Sequence, residues 1–393
     1  MNSNIVVVKG DGIGPETASE AMRILAVIGK RFGHSFTFEE YEAGGCAIDD
    51  FGTCLPDDTL AACLIADCVL FGAVGGPKWD LLEQHLRPER ALLTLRGKMG
   101  LYANLRPIRM FPQLYHASPL IPQVAVQGID LMLVRELTGG IYFGNHSITE
   151  KNGKAFASDL MSYSESEIER IARTAFEMAK KRHGRVVSVD KSDVLACSRL
   201  WKEVVHRVAR SEYPSIQLTD MLADGIAMQL MRNPWQFDVI LTENMLGDVL
   251  SGEACMLTGS IGMIPSASLG DGTVGIYEPI HGSAPDIAGQ NIANPIGAIL
   301  STAMMLRSSF GLLSEAEAVE TGVNKVLDDG YRTVDIISPG CTPVSCSKMG
   351  ELIAAAILST QMYRKITRSL PGASARPFAA PAKRTVKNKA AAD

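Results

Sequence analysis

Several things are scarce in this 393-residue sequence, and each scarcity removes a class of function. Apolar runs such as Ile296 to Leu306 stop well short of the roughly 20 residues that span a bilayer, so no membrane protein is expected. Basic charge is not in excess: the formal net charge of -5 argues against a nucleic-acid footprint, which needs a clustered cationic surface. Cysteine is sparse, with eight residues (46, 54, 63, 68, 197, 255, 341 and 346) spread too thinly for a disulfide-stapled domain. No histidine pair stands near Cys63 and Cys68 or Cys341 and Cys346 at zinc-ligand spacing, so buried free thiols in a reducing compartment are expected. Met1 to Asn4 lead directly into a strand-like run, which leaves no room for a secretory leader and predicts a cytoplasmic protein.

What is present reads as a soluble globular enzyme of two or three domains, with 46% apolar residues and 36 glycines that signal many tight turns. The β-branched run Ile5 to Val8, the glycines of Gly10-Asp11-Gly12-Ile13-Gly14-Pro15 and an amphipathic stretch to about Ile28 read as strand, turn and helix. Further strands are predicted at Ala66 to Phe71, Asp130 to Val134, Val186 to Val189 and Phe237 to Leu241, with a helix near Val194 to Arg210. Strands alternating with helices predict an α/β sheet protein. Ser164 with Glu167 forms a capping-box pattern, and Pro295 opens a long apolar segment to Met305. From about Ser369 prolines, alanines and lysines alternate, which predicts a disordered tail over 369–393. The glycine turn is not a dinucleotide fingerprint: G-x-G-x-x-G is missing because Pro15 follows Gly14, and a ligand loop and a sharp turn remain equally open.

From Gly10 to Glu16, through Gly75-Gly76-Pro77-Lys78-Trp79, Arg135-Glu136-Leu137-Thr138-Gly139-Gly140-Ile141-Tyr142-Phe143-Gly144 and Ser188-Val189-Asp190-Lys191, to His281-Gly282-Ser283-Ala284-Pro285-Asp286, the sequence resembles the β-decarboxylating dehydrogenases of isopropylmalate, isocitrate and tartrate. The likeness covers nearly everything before about residue 360. It implies a two-domain, non-Rossmann α/β fold with a cleft between the domains. Residues 1–105 with 257–365 would form a discontinuous cofactor-binding domain, and 106–256 the substrate and dimerisation domain. It also implies a homodimer whose two active sites are shared, with NAD as cofactor and Mg²⁺ or Mn²⁺ as metal.

Carried over residue by residue, the resemblance gives Arg96, Arg106 and Arg135 the task of holding malate carboxylates, for which the planar guanidinium fork is suited. Lys191, from the neighbouring subunit, would take the hydroxyl proton, a role that needs a depressed pKa, and Tyr142 would protonate the carbon left after decarboxylation. Asp224, again from the partner, and Asp248 match two metal aspartates, and Asp224 also reaches the substrate. Ile13, Gly75, Gly76, Glu278, His281, Gly282, Ser283, Ala284, Asp286 and Asn294 match the cofactor-binding positions. Among these Asp286 selects NAD, because an acid repels a 2′-phosphate.

Glu89, Leu92 and Leu93 precede Arg96 where the C3 substituent is met, and two leucines favour an apolar branch. The expected reaction is therefore NAD-dependent oxidative decarboxylation of 3-isopropylmalate or a similar alkylmalate, as in leucine biosynthesis. One position departs from the pattern. Where the family reads Gly-Asp-Ile-Leu-Ser-Asp-Glu, this chain has Gly247-Asp248-Val249-Leu250-Ser251-Gly252-Glu253, which removes a third metal aspartate; Gly225 likewise replaces the usual Asn beside Asp224. A paralogue for another 3-substituted malate, D-malate or tartrate, and a catalytically weak partner subunit, therefore stay open.

Overall fold

The computed structural model describes residues 1–368; the tail predicted to be disordered lies outside them. The β-branched run Ile5 to Val8 forms the buried centre of β1 (Asn2–Gly10), flanked in parallel by β2 (Ser35–Tyr41) and β3 (Cys68–Ala73). Every residue of β3 is buried, as expected of a parallel strand covered on both faces. The chain continues through β4 (Ala103–Arg109) and β5 (Asp130–Glu136), then an exposed antiparallel hairpin, β6 (His146–Lys151) and β7 (Lys154–Asp159). It goes on to β8 (Arg185–Asp190), β9 (Gln217–Leu222), β10 (Val239–Thr242), β11 (Pro265–Leu269) and β12 (Gly275–Pro279).

Ten of these strands make one sheet in the order β2-β1-β3-β12-β11-β4-β5-β10-β8-β9. The two late strands β11 and β12 insert between β3 and β4, so the end of the chain is built into the same half of the sheet as its beginning. β4 runs antiparallel to both β5 and β11, with Asn104 opposite Arg135 and Ser268 opposite Asn104. Alternation along β4 therefore turns Asn104 and Arg106 to one face. Leu105, Pro107 and Arg109 turn to the other, where they line a separate groove of about 1280 Å³.

Helices cover both faces. The segment opened by Pro295 is a helix, Ile296–Ser308, buried throughout from Ile296 to Leu306, which explains why it carries no polar stripe. It packs against the long amphipathic helix Gly14–Phe32. Helix Glu165–Lys180 begins with the expected capping box: the Ser164 hydroxyl accepts from the Glu167 amide, and the Glu167 carboxylate accepts from the Ser164 amide. No described helix is long and apolar enough to cross a membrane. All eight cysteines are free; of the four read as buried thiols, Cys63, Cys68 and Cys346 are buried, while Cys341 is only partly covered and corrects that expectation. Cys341 follows a surface turn, its amide donating to the Ser338 carbonyl oxygen.

The glycine turn after β1 is stitched into its surroundings. Gly10 (φ +68°) and Gly12 (φ +58°) are left-handed, and a Cβ would fall 2.0 Å from the Ala73 carbonyl oxygen at the first and 1.9 Å from that of Ser283 at the second. The buried Asp11 carboxylate accepts from the amides of Gly45 (2.7 Å), Cys46 (2.7 Å) and Gly75 (2.8 Å), and the Ile13 amide donates to the Ser283 oxygen at 2.7 Å. These bonds tie the Gly75-Gly76 turn and the loop from His281 onward to one point.

Candidate active site

β5, β10, β8 and β9 are mutually parallel, and the candidate residues follow their carboxyl ends, the usual place for a ligand in an α/β sheet. Arg135 ends β5 and Tyr142 lies in the turn after it. β10 leads into helix Asn244–Met256, whose second turn carries Asp248. Lys191 follows β8, and Asp224 sits in the first turn of helix Ala223–Arg232 after β9. Arg106 comes from β4, and Arg96 from helix Glu89–Lys98, where Glu89, Leu92, Leu93 and Arg96 recur at helical spacing on one face.

One group gathers around Asp248. The Arg135 Nη1 donates to its Oδ1 at 2.5 Å, the Arg106 Nη1 approaches the same oxygen at 3.4 Å, and the Tyr142 hydroxyl donates to Oδ2 at 3.3 Å. Arg106 also donates to the Ser251 hydroxyl, one helical turn past Asp248. Arg96 pairs with Glu278 at 2.8 Å, both side chains being nearly enclosed. All three arginines are buried, while the Asp248 side chain stays 42% exposed. The group thus holds its cations fixed and opens one carboxylate outward.

Burial, then repulsion from Arg106, pushes the Arg135 guanidinium down to about 9, and burial lowers Arg106 in the same way. Burial alone would raise the Asp248 carboxyl, but Arg135, Arg106 and Arg96 outweigh it and hold it below the usual carboxylate range. Burial and the neighbouring Asp248 raise the Tyr142 phenol, keeping it protonated at neutral pH.

The second group is Lys191 with Asp224 and Asp193, each at 3.1 Å. It is open to solvent, and hydrogen bonds to Asp224 and then Asp193 raise the Lys191 ammonium above its ordinary value. A single copy of the chain does not supply the depressed pKa that a proton acceptor needs. Among the described residues the two groups share no hydrogen bond or ion pair, and no three His, Cys, Asp or Glu side chains come together as a metal-binding group. Asp248 offers a divalent ion one carboxylate, and the remaining oxygens would have to come from outside this group of side chains. A Cβ built at Gly252 meets no heavy atom within 4 Å, so the missing carboxylate leaves open space.

The third set surrounds the glycine turn. His281, Ser283 and Asn294 are buried, Gly282 and Asp286 are exposed, and Ala284 takes a positive φ of +39° in the turn between them. The Asn294 amide donates to Asp335 at 3.0 Å, and Gly289 N donates to Glu16 at 2.6 Å, anchoring both ends of the loop. The His281 Nδ1 faces the Gly282 carbonyl oxygen at 2.9 Å, its Nε2 is buried with no partner among the described residues, and burial lowers its pKa. A rigid loop with an orphaned ring nitrogen and an exposed acid fits a nucleotide. Gly75 joins this set to the first, because a Cβ there would lie 2.6 Å from the Glu89 carboxylate.

The sequence pattern of the family described as isocitrate/isopropylmalate dehydrogenase matches residues 4–353. The chain belongs to that family. Among its relatives, the 3-isopropylmalate dehydrogenase of Helicobacter hepaticus is 55% identical over 358 residues, covering 91% of this chain and all of the relative. The 3-isopropylmalate dehydrogenase of Geobacillus kaustophilus is 56% identical over 358 residues, 91% of this chain and 96% of its own. Among solved structures, the isocitrate dehydrogenase of Methylococcus capsulatus superposes with a TM-score of 0.81 at 31% identity, covering 91% of this chain and 99% of that one. The β-decarboxylating dehydrogenase of Thermococcus kodakarensis gives 0.75 at 35% identity, with 93% and 98% covered. The family resemblance read from the motifs is thus borne out over the length they span.

Three residues that the motifs did not single out belong to the arginine group: Asn104, Asn244 and Ser251. The signals were there. Asn104 is two residues from Arg106, on the same strand face, and Ser251 is three residues beyond Asp248 on a helix. Asn244 is four residues before Asp248 on the same helix, and the pairing of β10 with β5 sets it against Arg135.

Proposed function

We propose that this chain oxidises and decarboxylates 3-isopropylmalate, or a closely similar alkylmalate, with NAD as oxidant. The observation that carries this reading is the convergence of buried Arg106, Arg135 and a protonated Tyr142 on Asp248, with Arg96 nearby on the helix that also presents Leu92 and Leu93. Two carboxylates of a malate need fixed cations, and an apolar branch at C3 needs an apolar wall. Both leucines are half-buried, leaving surface for that branch, while a γ-carboxylate there would find no partner. The names of the relatives at 55% and 56% identity support the same substrate.

In this reading Arg96, Arg106 and Arg135 orient the dianion. NAD, when bound, would supply the acceptor for the C2 hydride, and Lys191 of a second copy would take the hydroxyl proton. The C3 carboxylate then departs as CO₂, its bonding electrons moving to the C2 oxygen as an enolate, and Tyr142 delivers a proton to C3. Mg²⁺ or Mn²⁺ between Asp248 and a second copy's Asp224 would supply Lewis-acid stabilisation of that oxygen. Asp286 reads the ribose hydroxyls, with Gly75, Gly76 and the loop from His281 to Asn294 holding the remainder of the nucleotide. Residues 1–105 with 257–365 form the cofactor domain and 106–256 the substrate domain, a division supported by the insertion of β11 and β12 beside β3.

A homodimer is part of the proposal. The hairpin β6-β7 is exposed along almost its whole length, including Ile148 and Phe156, and a two-stranded hairpin is marginal by itself. Met228, Met231, Val249 and Met256 are exposed on the helices that carry Asp224 and Asp248. A second copy would cover both surfaces and bring Lys191 and Asp224 to the arginine group.

The test is purified protein with NAD, Mn²⁺ and a panel of 3-alkylmalates, D-malate, tartrate and isocitrate, following NADH and CO₂ together. Turnover fastest on 3-isopropylmalate is expected. Gly252 favours a second reading, a partner subunit with weak catalysis, and absence of turnover on every substrate would select it.

A further inference from the structure

We propose that Asn104 and Asn244 are positioning residues that hold two substrate arginines from behind without neutralising them, so that the site keeps the positive charge a dianion requires. The inference rests on the functional reading above and assigns it two further residues. The Arg106 Nε donates to the Asn104 Oδ1 at 2.5 Å. Arg135 donates through Nε to the Asn244 Oδ1 (3.1 Å) and carbonyl oxygen (2.8 Å), and through Nη2 to the same Oδ1 (2.8 Å). Each guanidinium is thereby gripped on its Nε side, and both Nη1 atoms turn toward Asp248.

The amides are themselves locked. Asn104 is fully buried, and its Nδ2 donates to the hydroxyls of Ser266 (2.7 Å) and Ser268 (3.3 Å) and to the Ala267 carbonyl oxygen (3.3 Å). Asn244 is 1% exposed; its Nδ2 donates to the Gly139 oxygen at 3.0 Å and its backbone amide to the Tyr163 hydroxyl at 3.0 Å. Flipping either amide would set donor against donor, so the oxygen faces the arginine by construction.

Buried arginines are ordinarily paired with carboxylates. Here the groups that grip Arg106 and Arg135 at Nε are neutral; the carboxylates in ion-pair contact with the three arginines are Asp248 and Glu278, while buried Glu243, bonded to the Tyr163 hydroxyl and the Met245 and Leu246 amides, acts on Arg135 without touching it. Each asparagine changed to aspartate would therefore take one unit of positive charge out of the group while leaving its other charges in place. A substrate bearing two negative charges would then meet a less favourable field than in the unmodified site.

The experiment compares Asn104→Asp and Asn244→Asp with the unmodified dimer. It uses calorimetric binding of 3-isopropylmalate in the presence of Mn²⁺, and steady-state KM for substrate and NAD. Substrate Kd and KM should rise at least tenfold in each variant with the NAD KM within twofold, and the affinity should depend less steeply on ionic strength. Asn104→Asp keeps two of its three partners, because the Ser266 and Ser268 hydroxyls can turn to donate to a carboxylate while only the long contact with the Ala267 carbonyl oxygen is lost, so it decides the matter if Asn244→Asp does not fold. Substrate affinity within twofold of the original, or equal losses for substrate and NAD, overturns the inference. If the unmodified protein binds no malate-type dianion while binding NAD, the functional reading fails instead.

Discussion

Replacing Gly252 with aspartate tests how far the open position beside Asp248 governs metal binding. The glycine lies four residues after Asp248 in helix Asn244–Met256, one turn on and on the same face. Nothing lies within 4 Å of its Cβ site, so the new side chain enters without displacing a neighbour. Relieving a helical glycine gains roughly 0.3 kcal/mol, while a second carboxylate at i+4 from Asp248 costs roughly 0.2–0.5 kcal/mol. Without metal the variant should therefore melt within about 1 °C of the original. With Mn²⁺, a third carboxylate that tightens binding about tenfold adds about 1.4 kcal/mol of ligand-linked stability, on the order of 3 °C in Tm. The assay is a pair of thermal melts with and without Mn²⁺, beside an activity titration in the same metal. Equal Mn²⁺-induced shifts in Gly252→Asp and the parent, with coincident activity titrations, would show that no metal sits over this turn of the helix.

Other expectations follow from the same geometry. Tyr142→Phe and Lys191→Met should each lower kcat by about 10²–10⁴-fold. Mixing and reassociating the two variants should restore up to about a quarter of the original activity, because a mixed dimer carries one intact shared site; no recovery would mean that both residues serve one chain. Asp286→Lys, at an exposed position in the nucleotide loop, should shift preference toward NADP by about fivefold for one added charge contact, measured as the ratio of kcat/KM. Gly12→Ala should cost about 2 kcal/mol or more in urea unfolding, since a methyl would meet the Ser283 oxygen in a left-handed turn; a loss below about 0.5 kcal/mol would contradict the turn geometry.

The primary structure alone settled what depends on local chemistry. The β-branched run Ile5 to Val8, the box at Ser164 and Glu167, and the apolar segment after Pro295 each specify an element through the backbone and side-chain preferences of adjacent residues, and each forms where it was read. The family that pointed to the arginines, Tyr142 and Asp248 was legible in the motifs, and its pattern matches residues 4–353. Other features needed the third dimension. Insertion of β11 and β12 beside β3 is a pairing between distant segments with no local signal. The use of Gly10 to Gly14 as a stitched turn is decided by contacts with Ala73, Gly75 and Ser283, which adjacent residues cannot encode. The direction of the Lys191 shift likewise depends on Asp224, 33 residues away and brought close by the parallel pairing of β8 with β9. Electrostatics acts across space, so only the packed chain could show which charges meet.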